Sequence, residues 1–97
     1  MPEGFTASFA DRLNKLTNSV VVESTNNELI QNNKVIIAKG GIHTEIIEKN
    51  GSYYTILKDY PKINSHKPSV NALFKSVSKL QPKDVTAFIL TGMGDDG

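Results

Sequence analysis

Residues 91–97, Thr-Gly-Met-Gly-Asp-Asp-Gly, combine three glycines with two adjacent carboxylates and are the densest chemical signal in the chain. Glycines this close together mean that the backbone turns sharply or is closely approached. The plainest reading is a turn with two solvated acids, since turns recruit Gly and Asp. Gly92, Gly94 and Gly97 also spell G-x-G-x-x-G after an apolar run, the dinucleotide-binding pattern. Charge rules it out, because Asp95 and Asp96 would meet the pyrophosphate. One like-charge pair at about 5 Å and an effective dielectric near 20 costs about 3 kcal/mol. A shared Mg²⁺ is a third reading, but it needs further oxygen ligands, and nothing in the spacing compels Asn64 or His66 to supply them. The fourth is the acid of a catalytic triad. An Asp on a loop beyond a strand can accept the Nδ1–H of a histidine, fix its tautomer and leave Nε2 free to take a serine proton. A neighbouring backbone N–H could then serve an oxyanion. The residues alone leave the turn, metal and triad readings open.

The other polar candidates point to structure. His43 and His66 are the only histidines, one opening the β-rich run from His43 to Lys49 and one in a connector. The serines, among them Ser8, Ser19, Ser52 and Ser69, read as helix, turn or cap residues, and none lies in a G-x-S-x-G elbow. Tyr53 and Tyr54 are adjacent on a strand, so one should face inward and the other outward.

The elements that must position these groups follow from periodicity. Phe5, Phe9, Leu13 and Leu16 recur at helical spacing, with Thr6 as the expected N-cap, and their stripe is expected to be core. Val20-Val21-Val22 and Val35-Ile36-Ile37-Ala38 read as short strands, separated by polar breaks around Leu29 and Ile30. Two β-rich runs flank Asn50-Gly51, the signature of a two-residue hairpin in which both turn residues take positive φ. Ser69 caps a second helix bearing Val70, Leu73, Phe74, Val77 and Leu80, and Pro82 follows it. Residues 85–90 are almost continuously apolar, the pattern of a parallel strand buried on both faces. The resulting expectation is α/β: a Rossmann-like, mostly parallel sheet flanked by helices, with an antiparallel hairpin.

Composition narrows the function classes. Eleven basic and ten acidic residues give a formal +1 without a basic stripe, which argues against a nucleic-acid partner. With no cysteine, disulfides, thiolate metal sites and thiol nucleophiles are all excluded. No signal-peptide pattern and no apolar stretch of the ~20 residues needed to span a bilayer occur, so no membrane insertion and a cytoplasmic location are expected.

Three segments, in order along the chain, resemble one bacterial family, the chemotaxis response-regulator protein-glutamate methylesterases. Met1-Pro2-Glu3-Gly4-Phe5-Thr6-Ala7-Ser8-Phe9-Ala10-Asp11-Arg12-Leu13 is similar to its M-P-x-x-F-T-x-S-F-A-x-R-L segment. His66-Lys67-Pro68-Ser69-Val70-Asn71-Ala72-Leu73-Phe74 is similar to H-x-P-S-V-[DN]-x-L-F, and Ile89-Leu90-Thr91-Gly92-Met93-Gly94-Asp95-Asp96-Gly97 to I-L-T-G-M-G-x-D-G. The resemblance implies that Asp96 is the catalytic aspartate, whereas Asp95 falls at a variable position. It implies that Met93 lines the site and offers its N–H to the oxyanion, and that Phe5 and Thr6 meet a phosphorylatable receiver domain. His66 matches a motif position with no catalytic role assigned.

The family's catalytic histidine immediately precedes the Met-Pro pair, and its serine nucleophile lies further upstream. Residues 1–97 are therefore expected to be a partial, incomplete catalytic domain, inactive alone. The implied parent hydrolyses glutamate methyl esters on the cytoplasmic domains of chemoreceptors, with some members also deamidating glutamines, and needs no cofactor or metal. The alternative is a non-enzymatic interaction module that kept the scaffold and lost the chemistry.

Overall fold

The computed structural model describes residues 2–80 and 85–88. Helix α1 (Phe5–Leu16) leads into β1 (Val20–Glu23), β2 (Glu28–Leu29), β3 (Lys34–Ile37), the hairpin β4 (His43–Lys49) and β5 (Ser52–Lys58), and helix α2 (Val70–Leu80). β1 and β3 pair in parallel, with Val21 opposite Val35 and Val22 opposite Ile36, and α1 packs against them. A second sheet runs β2-β5-β4, antiparallel throughout, and α2 packs against β4. This is an α/β fold with helices, a parallel pair and an antiparallel hairpin. Among the described residues antiparallel pairs outnumber parallel ones, nine to four.

The hairpin forms as its turn chemistry dictates. Asn50 and Gly51 sit at φ 51° and 82°, both left-handed, so the type I′ turn matches the twist of its strands. Seven residue pairs then align, from Lys49 opposite Ser52 to His43 opposite Lys58. Asn27 and Asn33 also take positive φ. They turn the chain on either side of β2, a strand that the polar breaks concealed. Thr25 and Asn26 fasten this segment to β5: the Thr55 hydroxyl donates to Thr25 O at 2.9 Å, and Leu57 N–H donates to Asn26 Oδ1 at 2.7 Å. Lys34, itself well buried, binds the Glu28 carboxylate and also donates to Leu29 O at 2.9 Å. Its hydrogen bond holds the Glu28 carboxyl below its usual range.

Three expectations are corrected. Thr6 is not the N-cap of α1. Gly4 occupies that position at φ 86° with no side-chain cap, and Thr6 lies inside the first turn. The buried side of α1 holds Thr6 and Ala10, while Phe5 and Leu16, the ends of the apolar stripe, are exposed. A two-stranded sheet offers a narrow floor, so small residues make the closest approach and the large ones spread to its margins. Finally, residues 85–88 form no strand, and Phe88 is 81% exposed. An apolar run becomes a strand only when neighbours pair with its backbone, and no strand among the described residues does so. Ile89 and Leu90 lie outside the described residues.

Helix α2 follows the same rule as α1. Ser69 caps it, its hydroxyl accepting Ala72 N–H at 3.2 Å. Ala72 and Ser76 are its buried residues, whereas Val70 is exposed. These small side chains let the helix approach β4 closely enough for the Ser76 hydroxyl to accept Ile46 N–H at 3.0 Å while donating to Leu73 O at 2.7 Å. One hydroxyl thus satisfies an edge-strand donor. Ser76→Ala leaves that donor unpaired and is expected to cost about 1–3 kcal/mol. Ser78→Ala, at an exposed hydroxyl bonded only within its own helix, should stay within about 0.5 kcal/mol. Denaturant unfolding of the two variants checks the difference, and equal losses would contradict the role given to Ser76.

Candidate functional site

The residues singled out by sequence fall into two groups. Phe5 and Thr6 open α1, whereas Met93, Asp95 and Asp96 lie outside the described residues. Phe5 is 55% exposed and offers an apolar ring to whatever meets this end of the helix. Thr6 is 1% exposed. Its hydroxyl donates to Glu23 Oε2 at 2.5 Å and accepts Gly40 N–H at 2.7 Å. The start of α1 is thereby tied to the end of β1 and to the β3–β4 loop. Thr6 can influence a docking partner only from beneath, by holding Phe5 in place.

A second hydroxyl continues the network. Ser24, fully buried, accepts Lys39 N–H at 2.9 Å and shares a 2.9 Å hydrogen bond with the Thr44 hydroxyl on β4. Two consecutive amides of the β3–β4 loop therefore end on two side chains from different elements. Asn14 adds a third link from α1, its Oδ1 accepting Val21 N–H at 2.9 Å. None of the buried side-chain polar atoms among the described residues lacks a partner, as interior polar groups require.

His43 reads structurally, as its sequence context suggested. It is fully buried. Ser69 N–H donates to Nδ1 at 3.2 Å, so Nδ1 acts as an acceptor and Nε2 carries the proton that bonds Pro61 O at 3.0 Å. Both ring nitrogens are committed to joining β4, the connector and the start of α2. Tyr60 stacks on the ring at 4.2 Å between centroids and donates to Glu45 Oε2 at 2.7 Å. Sequence reasoning missed this anchor; its one signal was a histidine at the inward start of a hairpin strand. Tyr53 and Tyr54, expected to divide between inside and outside, are both half-buried, and Thr55 is the residue of that strand that goes inside. Among the described residues, no three His, Cys, Asp or Glu side chains gather as a metal site, and no helix is long and apolar enough to cross a membrane.

An α/β scaffold of this kind is shared with a solved catalytic domain. The CheB methylesterase catalytic domain of Thermotoga maritima superposes with a TM-score of 0.92 at 35% identity, covering 100% of this chain and 51% of that one. A family model for CheB methylesterase matches residues 1–97. Over 97 residues the chain is 50% identical to a protein-glutamate methylesterase/protein-glutamine glutaminase of Pseudomonas savastanoi pv. phaseolicola. It is 43% identical to a probable protein-glutamate methylesterase of Borreliella burgdorferi. The chain belongs to the CheB methylesterase family. It spans 27% and 26% of those two relatives, about a quarter of their length.

Burial and the hydrogen bond to Glu45 push the Tyr60 phenol up from 10.0 to about 12. The folded state therefore holds this proton more tightly than the unfolded chain does. Its stabilising effect is complete below pH 10 and is lost as pH rises from about 10 to about 12. Phenolate absorbance should show a late step near pH 12 from Tyr60. Tyr60→Phe should abolish that late step and flatten the loss of stability across the same range. A late step that survives in Tyr60→Phe would contradict the assignment.

Proposed function

We propose that these 97 residues form the central part of a catalytic domain that hydrolyses glutamate methyl esters on chemoreceptors by a Ser-His-Asp mechanism, with Asp96 as the acid. The observation that carries this reading is the family match over residues 1–97; the choice of Asp96 rests on the resemblance of residues 89–97 to the I-L-T-G-M-G-x-D-G loop. In this mechanism a serine Oγ attacks the ester carbonyl while a histidine takes its proton. The histidine returns that proton to the departing methoxide, releasing methanol and leaving a glutamyl-serine ester, which water then hydrolyses by the same steps. A glutamine side chain would follow the same path with ammonia as the leaving group, in keeping with the double names of several relatives.

Asp96 accepts the Nδ1–H of that histidine and stabilises the imidazolium, and Met93 N–H stabilises the oxyanion. The serine and histidine of this mechanism come from beyond these 97 residues. His43 cannot substitute, since both of its ring nitrogens are engaged in the scaffold. The chain alone is therefore expected to be inactive. Phe5 is the apolar contact for a receiver domain, held in position by Thr6, and the setting is the bacterial cytoplasm.

The test is methanol release from a methylated receptor domain. The isolated chain should give no turnover above background. In the intact parent protein, Asp96→Asn should lower kcat on the order of 10³–10⁴-fold with little change in KM, by analogy with triad acids elsewhere. Asp95→Asn should change it only a few-fold. Turnover by the isolated chain would overturn the inactivity, and a larger loss from Asp95→Asn than from Asp96→Asn would overturn the choice of acid.

A further inference from the structure

A polar cavity of about 360 Å³ is walled by Glu3, Gly41, Lys62, Ser65, His66 and Lys67. It opens where the approach to α1, the β3–β4 loop and the connector into α2 converge. The connector wall is a two-residue turn: Ile63 and His66 exchange backbone hydrogen bonds of 3.0 and 2.9 Å around Asn64 and Ser65. Both central residues take positive φ, 51° and 67°. Asn tolerates this conformation, but Ser pays roughly 1–2 kcal/mol for it, and Ser65 is exposed, so packing does not offset the strain. The strained turn carries a hydroxyl and an imidazole into the wall of the cavity.

The charges around this cavity do not cancel evenly. Lys67 is bonded to Asp59 at 2.5 Å, which neutralises most of its field. Lys62 makes no ion pair among the described residues, and the His66 ring makes no hydrogen bond there. Glu3 stands on the facing wall, its carboxylate close over Gly41. One cation is thus open to an anion, with the Ser65 hydroxyl and the His66 ring beside it and a carboxylate across from it. A single negative charge suits that arrangement. A dianion such as phosphate would meet twice the repulsion from the Glu3 carboxylate that a single charge meets.

We propose that this cavity binds one side-chain carboxylate from an acidic segment of a partner protein, with Lys62 as the anchoring cation and Ser65 and His66 as the accompanying donors. The site stands on its own geometry and goes beyond the ester hydrolysis proposed above. If that reading also holds, the cavity would seat an acidic residue flanking the ester. Binding here involves an exposed cation, so it is weak and falls with ionic strength.

The experiment is an NMR titration of the isotope-labelled chain with a Glu-Ala repeat peptide and with its Gln-Ala counterpart. The acidic peptide should move the Ser65 and His66 resonances saturably, and the neutral peptide should not. Lys62→Glu should weaken binding by roughly tenfold or more, a loss of about 1.4 kcal/mol or greater. Lys62→Gln should fall between that variant and the unmodified chain. Lys15→Glu, the same charge reversal on the far end of α1, should leave binding unchanged. The proposal is overturned by equal binding of both peptides, by no saturable shift, or by an equal effect of Lys15→Glu. Tighter binding of inorganic phosphate or of free glutamate than of the acidic peptide would overturn the choice of ligand. Because no turnover is read, failure of the hydrolase reading would leave this result intact.

Discussion

The structure depends on where two successive backbone amides go. Lys39 and Gly40 lie in the loop that carries the chain from the parallel pair into the antiparallel hairpin. Their N–H groups are buried or partly buried and need acceptors. No strand among the described residues supplies them. The Ser24 hydroxyl takes the first and the Thr6 hydroxyl takes the second, at 2.9 and 2.7 Å. Each hydroxyl then reaches a further element, Ser24 to Thr44 on β4 and Thr6 to Glu23 at the end of β1. The loop, both sheets and the first helix meet through these bonds. Among the described residues few large side chains are fully buried, and the buried apolar residues are Ala10, Val21 and Ala72. With so small an apolar core, specific hydrogen bonds take a correspondingly larger share in fixing the geometry.

The same device recurs wherever a helix meets a strand. Asn14 receives an amide of β1 and Ser76 an amide of β4. In each case a polar side chain on a helix satisfies a strand donor that faces no partner strand among the described residues. His43 performs the corresponding task at the start of α2, accepting Ser69 N–H and donating to Pro61 O. The helices are therefore attached by their small and polar residues, and their large apolar residues lie to the sides. For function, the consequence is that Phe5 stands exposed at a firmly held helix start, beside the β3–β4 loop.

How much of this the sequence disclosed depended on the range of the interaction. Asn50-Gly51 declared the hairpin and its register because a type I′ turn is decided by two adjacent residues. Ser69 declared the start of α2 for the same reason. Apolar periodicity found both helices but misplaced the buried side of α1, since periodicity marks the apolar stripe and cannot say how narrow the opposing surface is. Thr6 looked like a cap because a threonine before an apolar stripe usually is one. Its actual partners, Glu23 and Gly40, are 17 and 34 residues away and invisible to any local rule. Strand β2 was hidden because two residues are too few to show alternation. The part of the apolar run at residues 85–88 misled because strand formation depends on neighbours as well as on the run itself. The family was legible throughout, since its three motifs are local strings. The expected acid Asp96 was legible only through them, because two adjacent aspartates between glycines fit several chemistries equally well.

Native-state hydrogen exchange of the Lys39 and Gly40 amides tests the central claim, that the two hydroxyls hold the scaffold together, most directly. Both amides should exchange only when the whole chain unfolds, at the rate of the slowest strand amides in β4 and β5. Replacing Ser24 by Ala should speed the exchange of both together, because the loop they share loses one of its two anchors. Rapid exchange of these amides in the unmodified chain, or an effect of Ser24→Ala confined to Lys39, would contradict the account.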